Sequence, residues 1–101
     1  PWELNGVLDG SVIMDNGTLK MVYMNSNASG FGIATSTDGL NWVKANSNPF
    51  FTNTNTANNW AHNDIAYPNF IKVNNEYRIY YSGIGDNSII YKIGFMRKQV
   101  N

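Results

Sequence analysis

The stretch GFGIATSTDGLNWVKANSNPFF, residues 30–51, decides the fold. Its first seven residues, GFGIATS (30–36), read as a strand, and Asp38-Gly39 reads as the turn that ends it. Asp38 can accept hydrogen bonds from turn amides, and Gly39 can take positive φ at no steric cost. NWVKA (41–45) then reads as a short strand returning along the first. Ser-x-Asp-Gly is therefore a connector between two antiparallel strands. Trp42 falls on the outer one, where its ring can pack between neighbouring sheets. This structural reading of STDGLNW outweighs a catalytic one.

Working outward, the same grammar fills the chain. SVIMD (11–15) meets Asn16-Gly17, a strong hairpin signal, and TLKMVYM (18–24) follows. NSNAS (25–29) is a loop into the quoted strand, and 46–59 is polar, strand-poor and reads as a connection. The pattern then restarts with YPNFIKV (67–73), a turn at Asn74-Asn75, EYRIYYS (76–82), a loop GIGDN (83–87) and SIIYKIGFMRK (88–98). No helix is predicted. Short β-rich runs at close spacing, bounded by turn residues, indicate an all-β chain of antiparallel hairpins.

The restart is an internal repeat. A shift of 58 residues places Trp2 on Trp60, Asn5 on Asn63, Ile13 on Ile71, Asn16 on Asn74 and Tyr23 on Tyr81. Val7 then falls on Ile65, Val12 on Phe70, Lys20 on Arg78 and Met21 on Ile79. Past the second hairpin the register moves by four, and Gly32 falls on Gly94. A repeated four-stranded meander of about 50 residues is the mark of a β-propeller blade. The expectation is a partial propeller: one complete antiparallel four-stranded blade with its connection over 1–59, and a second, incomplete blade over 60–101.

Composition excludes several function classes. Seven acids balance seven bases, so nothing marks the chain for nucleic acid or an anionic membrane surface. No apolar run approaches the roughly 20 residues of a membrane span. There is no Cys, hence no disulfide, thiolate metal site or Cys nucleophile. Three Trp, six Tyr and five Phe supply a core or a ligand surface. No P-loop, dinucleotide fingerprint or G-x-S-x-G is present. One His and scattered acids predict no metal and no cofactor. The opening PWELNG shows no basic-then-apolar leader and predicts a processed or excised piece of a longer chain.

Three segments together carry a family resemblance: LDGSVIMDNGTLKMVYMN (8–25), FGIATSTDGLNWVKANSNPFF (31–51) and AYPNFIKVNNEYRIYYSG (66–83). They resemble blades of the five-bladed propeller glycosidases, the group of arabinanases, β-xylosidases, invertases, levanases and mannoside phosphorylases. The resemblance covers most of this chain but about two of five blades. It implies a carbohydrate partner and a secreted or periplasmic setting. It also implies active-site acids at the starts of the innermost strands, one of them in an Arg-Asp-Pro motif. Ala66-Tyr67-Pro68 keeps the Pro of that motif with Tyr67 at the acid, whereas Leu8-Asp9-Gly10 keeps the acid with Gly10 for Pro. Asp9-Gly10-Ser11 is equally similar to the Ser-Gly-Ser substrate contact of the fructosidase-like members. The full set of acids is thus absent from this chain.

Glycoside hydrolysis needs two carboxyl groups about 5 to 9 Å apart. Asp15, Asp38, Glu76 and Asp86 lie in turns or loops and read as solvated or turn-forming. Asp9 and Asp64 lie where innermost strands begin and are the candidate catalytic acids. Trp60, His62, Asn63, Tyr67 and Ser11 are the candidate sugar contacts: hydroxyl-bonding polar groups beside aromatic faces. The structural alternatives are a loop cap for Asp64 and an ordinary loop histidine for His62. Blades specify the reaction poorly, since catalytic and non-catalytic propellers share them. The readings are a piece of a carbohydrate-active propeller that is incomplete alone, a glycan-binding module, or a structural blade pair without ligand. Two blades cannot bury both their faces. The chain is therefore expected either to self-associate as a homo-oligomer or to belong to a larger propeller.

Overall fold

The computed structural model describes residues 2, 3, 6–56, 60–85 and 91–99. Two antiparallel sheets stand face to face. The first contains β1 (Val7–Asp15), β2 (Thr18–Asn25), β3 (Gly30–Ser36), β4 (Val43–Lys44) and β5 (Phe51–Thr52). The second contains β6 (Asp64–Val73), β7 (Glu76–Ile84) and β8 (Lys92–Gln99) in the order β6-β7-β8. Asp86 and the expected strand residues 88–90 lie outside the described residues.

The connection at 46–59 holds more structure than its polar composition suggests. β5 lies within it and pairs with β3 through Phe31 and Phe51, and one turn of 3-10 helix follows at Asn53–Asn55. The expected strand at 41–45 is regular only over β4, paired to β3 at Ala34 and Thr35. Between β4 and β5 the Asn48 side chain replaces a strand backbone. It accepts from the Ile33 amide at 3.0 Å and donates to the Ile33 carbonyl at 3.0 Å. The blade's fourth strand is thus interrupted, and a side-chain amide completes its ladder.

The backbone repeats as the residues do. β1 and β6 each carry one extra residue against their partners, between Leu8 and Ser11 and between Ala66 and Asn69. Within these bulges Asp9 (φ 46°) and Tyr67 (φ 55°) are left-handed, and the hairpins that follow turn on Asn16 (φ 51°) and Asn74 (φ 55°). Tyr23 pairs with Gly32 as Tyr81 pairs with Gly94. Each glycine leaves room for a tryptophan and a tyrosine ring. A Cβ at Gly32 would stand 2.7 Å from the Trp2 ring, and one at Gly94 2.7 Å from the Trp60 ring.

The core lies between the sheets. Val22, Met24 and Phe31 of the first meet Ile65, Ala66, Phe70, Ile79 and Tyr81 of the second. Tyr81 stands edge-on to Phe31 and Phe51, with centroids 5.7 and 5.5 Å away. The outer end of the seam is an apolar cavity of about 390 Å³, reached by Val22, Phe50, Phe70 and Met96. None of the candidate site residues lines it.

Asp15 corrects the expectation of a solvated turn residue. It ends β1 facing the second sheet and is buried. Its carboxylate accepts from Lys72 at 2.6 Å, from the Tyr77 hydroxyl, and from Lys20 at 2.9 Å. Lys72 above all, then Tyr77 and Lys20, hold its carboxyl well below the usual range. Glu76 is also buried rather than solvated, with Arg78 Nε at 2.5 Å. A sheet that must pack on a neighbour takes its strand-end polar groups inside, and each then needs a partner.

Candidate functional site

The site is set by the directions of β1 and β6. Ser11 Oγ accepts from the Phe70 amide at 2.9 Å, and further along Asp15 meets Lys72. The two edge strands therefore lie side by side and run the same way. Their upstream ends form one rim, carrying Asp9 on β1 and Asp64 and Tyr67 on β6. His62 and Asn63 lead into β6, and the Asn63 amide donates to the Ile84 carbonyl at 3.0 Å. The Ile65 amide donates to the Ala28 carbonyl at 2.7 Å, which fixes the start of β6 against the β2–β3 loop.

Asp9 and Tyr67 occupy equivalent bulges and both are exposed. A left-handed backbone suits Asp, whose short polar side chain tolerates it, but it strains a bulky Tyr. The strain is held by the surrounding structure. The Tyr67 amide donates to Met24 Sδ at 3.3 Å, and Pro68 behind it is buried. The ring is left outside, 57% exposed, with Tyr91 at 6.4 Å. Strain of this kind gathers where a side chain must be presented.

The acids sort by occupation. Glu3 is taken by Lys44 at 2.8 Å and by the Tyr23 hydroxyl at 2.8 Å; Lys44 chiefly, then Tyr23, lowers its pKa. Asp38 caps its turn, accepting from the Leu40 and Asn41 amides at 2.8 and 2.9 Å, and these bonds depress its pKa strongly. Gly39 beside it has φ 80°, and Trp42 Nε1 donates to the Gly39 carbonyl at 3.2 Å. Asp15 and Glu76 hold ion pairs. Among the described residues, the Asp9 and Asp64 carboxylates alone are engaged by neither hydrogen bond nor ion pair. No His, Cys, Asp or Glu group with metal-holding geometry occurs among the described residues.

The other candidates divide. Trp60 is seated in the second sheet on Gly83 and Gly94, stacked on Tyr81 at 6.0 Å, as Trp2 sits on Gly30, Gly32 and Tyr23. Its ring is thereby committed to packing. Ser11 spends its hydroxyl oxygen on the seam between the sheets. His62 is half-buried, its carbonyl accepts from Asn53 Nδ2 at 2.5 Å, and its ring lies near Gly85. Trp42 does not lie between the two sheets. It lines a groove on the far face of the first sheet, with Leu8, Asp9, Met21, Tyr23 and Lys44. Sequence reasoning missed the Asp15–Lys72–Tyr77 contact. Its signal was a break in the repeat, since Asp15 falls on Val73 and Lys72 on Met14.

Solved structures carry the same fold. One, a thermostable family-43 glycoside hydrolase, superposes with a TM-score of 0.75 at 22% identity, over 92% of this chain and 29% of that one. Another, the native arabinanase of Bacillus subtilis, gives 0.67 at 20% identity, over 93% of this chain and 34% of that one. The chain has the fold of a partial five-bladed propeller. It spans about a third of the length of the structures it matches. No family model and no curated protein matches the sequence. No helix among the described residues is long and apolar enough to cross a membrane.

Proposed function

We propose that this chain recognises carbohydrate at the rim where β1 and β6 begin, as part of a glycoside hydrolase-like propeller whose chemistry it does not complete alone. The observation that carries this reading is the pair of equivalent left-handed bulges on adjacent edge strands, which hold Asp9 and Tyr67 at matching exposed positions. A carboxylate accepts hydrogen bonds from sugar hydroxyls, and an exposed phenol ring covers the apolar face of a pyranose or furanose. Asp64, three residues upstream of Tyr67 on β6, adds a second acceptor, with His62 and Asn63 beside it. The likeness to glycoside hydrolases supports the substrate class and a secreted or periplasmic setting.

A second reading is a non-catalytic glycan-binding or structural blade pair. It is favoured by Tyr67 itself, since the bulge that carries an acid in the first sheet carries a phenol in the second. Hydrolysis by two carboxyl groups then rests on Asp9 with Asp64, without a third acid from these blades.

The test is calorimetric titration with arabino-, xylo-, manno- and fructo-oligosaccharides, beside a turnover assay on the matching nitrophenyl glycosides. Binding without turnover, weakened at least tenfold by Asp9→Asn or Tyr67→Ala, is expected. Turnover abolished by Asp9→Asn would make the chain an enzyme in its own right. Absence of binding to every sugar overturns the reading.

A further inference from the structure

The repeat exchanges its burial between the two sheets. Val7 and Val12 of the first sheet are each 45% exposed, while their counterparts Ile65 and Phe70 are 0% and 4% exposed. In the opposite sense, Val22 and Phe31 are both 0% exposed, while their counterparts Tyr80 and Ile93 are 38% and 80% exposed. The first sheet thus leaves open the face that the second uses to pack, and the second leaves open the face that the first uses. Tyr80 and Phe95 stack on that open face with centroids 4.9 Å apart.

The polar contacts of the seam translate as well. Phe70 N donates to Ser11 Oγ; the counterparts are Val12 N and the exposed amide of Asn69. Tyr67 N donates to Met24 Sδ; the counterparts are Asp9 N and Ser82, a better acceptor. Asp15 meets Lys72 and Tyr77; the counterparts are Val73, Met14 and Leu19, all apolar. A buried ion cluster is replaced by an apolar cluster, and each set is complementary within itself.

We propose that these two open faces are the halves of one interface, and that the occupant is a second copy of this chain docked head to tail. The second sheet of one copy covers the first sheet of the next, continuing the contact seen within the chain. Because the two halves differ, the contact is heterologous, and it propagates until it closes into a ring.

The experiment is light scattering on a sizing column, using the full chain and two single-face variants. Met14→Glu spoils the open face of the first sheet, and Ile93→Glu that of the second; both side chains are largely exposed, so folding is retained and circular dichroism checks it. The chain should elute at a multiple of 11.3 kDa. Each variant alone should fall to single-chain mass, and an equal mixture should give a two-chain species and nothing larger. A second arm uses the absence of Cys. Met14→Cys mixed with Val73→Cys should give a disulfide-linked pair of unlike chains, and neither alone should cross-link. Single-chain mass for the unaltered protein at all concentrations overturns the proposal and assigns the faces to other blades. Cross-linking of Met14→Cys with itself overturns it in favour of a two-fold contact. Loss of sugar binding leaves these masses unchanged, so the two readings fail separately.

Discussion

Replacing Phe31 by Ala, beside the same truncation at its repeat counterpart Ile93, tests how the two sheets are held together. Phe31 is fully buried between Phe51 and Tyr81, at centroid distances of 6.1 and 5.7 Å. A buried Phe removes roughly 150 to 200 Å² from water, which at about 25 cal/mol per Å² is worth about 4 to 5 kcal/mol. Large-to-small series at buried Phe positions give about 3 to 5 kcal/mol once the cavity is included. About 4 kcal/mol is therefore expected, a large share of the 5 to 15 kcal/mol typical of a domain this size. With a urea dependence of about 2 kcal/mol per molar, the midpoint falls by roughly 2 M. Ile93 is mostly exposed in the single chain, so Ile93→Ala should move the midpoint by less than about 0.3 M. The assay is urea unfolding followed by tryptophan fluorescence, at a concentration where the sizing column shows one chain. Equal midpoint losses for the two variants would refute the packing of β3 against the second sheet.

Further predictions follow from individual residues. Asp15 has a depressed pKa in the folded chain, so its contribution to stability is complete above the unfolded value of about 3.9. That contribution fades as pH falls below this toward the folded value, and Asp15→Asn should flatten unfolding midpoints between about pH 5 and pH 2. Gly94→Ala should lower stability by about 1 to 3 kcal/mol, because a Cβ there meets the Tyr81 and Trp60 rings; thermal melts monitored by near-ultraviolet circular dichroism would read it. Tyr67→Gly should raise stability by up to about 1 kcal/mol by relieving a left-handed backbone, while weakening sugar binding. Urea melts and sugar titrations on that one variant would check the two effects together.

The architecture was legible where the chain repeats. Asn16 and Asn74 set equivalent hairpins, Asp38-Gly39 set the turn before β4, and Trp2, Tyr23 and Gly32 recurred as Trp60, Tyr81 and Gly94, although that they pack into one seat shows only in the structure. Polar residues that serve the seam were not legible. Asp15 and Glu76 look like turn residues because hairpin ends are usually wet, and only a neighbouring sheet takes them inside. β5 hides in 46–59 because two residues suffice when Asn48 supplies the missing ladder bonds. At the rim, Asp9 and Tyr67 fall in register along the repeat, and their shared left-handed backbone is the structural reason the proposal joins them. The aromatic character of Trp60 made it a sugar candidate, and the structure adds that its half-buried ring packs on Gly83, Gly94 and Tyr81.

The most direct test of the rim is an amide chemical-shift titration of the isotopically labelled chain with arabino-oligosaccharides, repeated with the other sugars. Shifts gathered at Asp9, Asp64 and Tyr67, with the hairpins at Asn16 and Asn74 unmoved, are the predicted result. Shifts at Met21, Trp42 and Lys44 of the groove with Asp64 and Tyr67 unmoved, or none with any sugar, would contradict it.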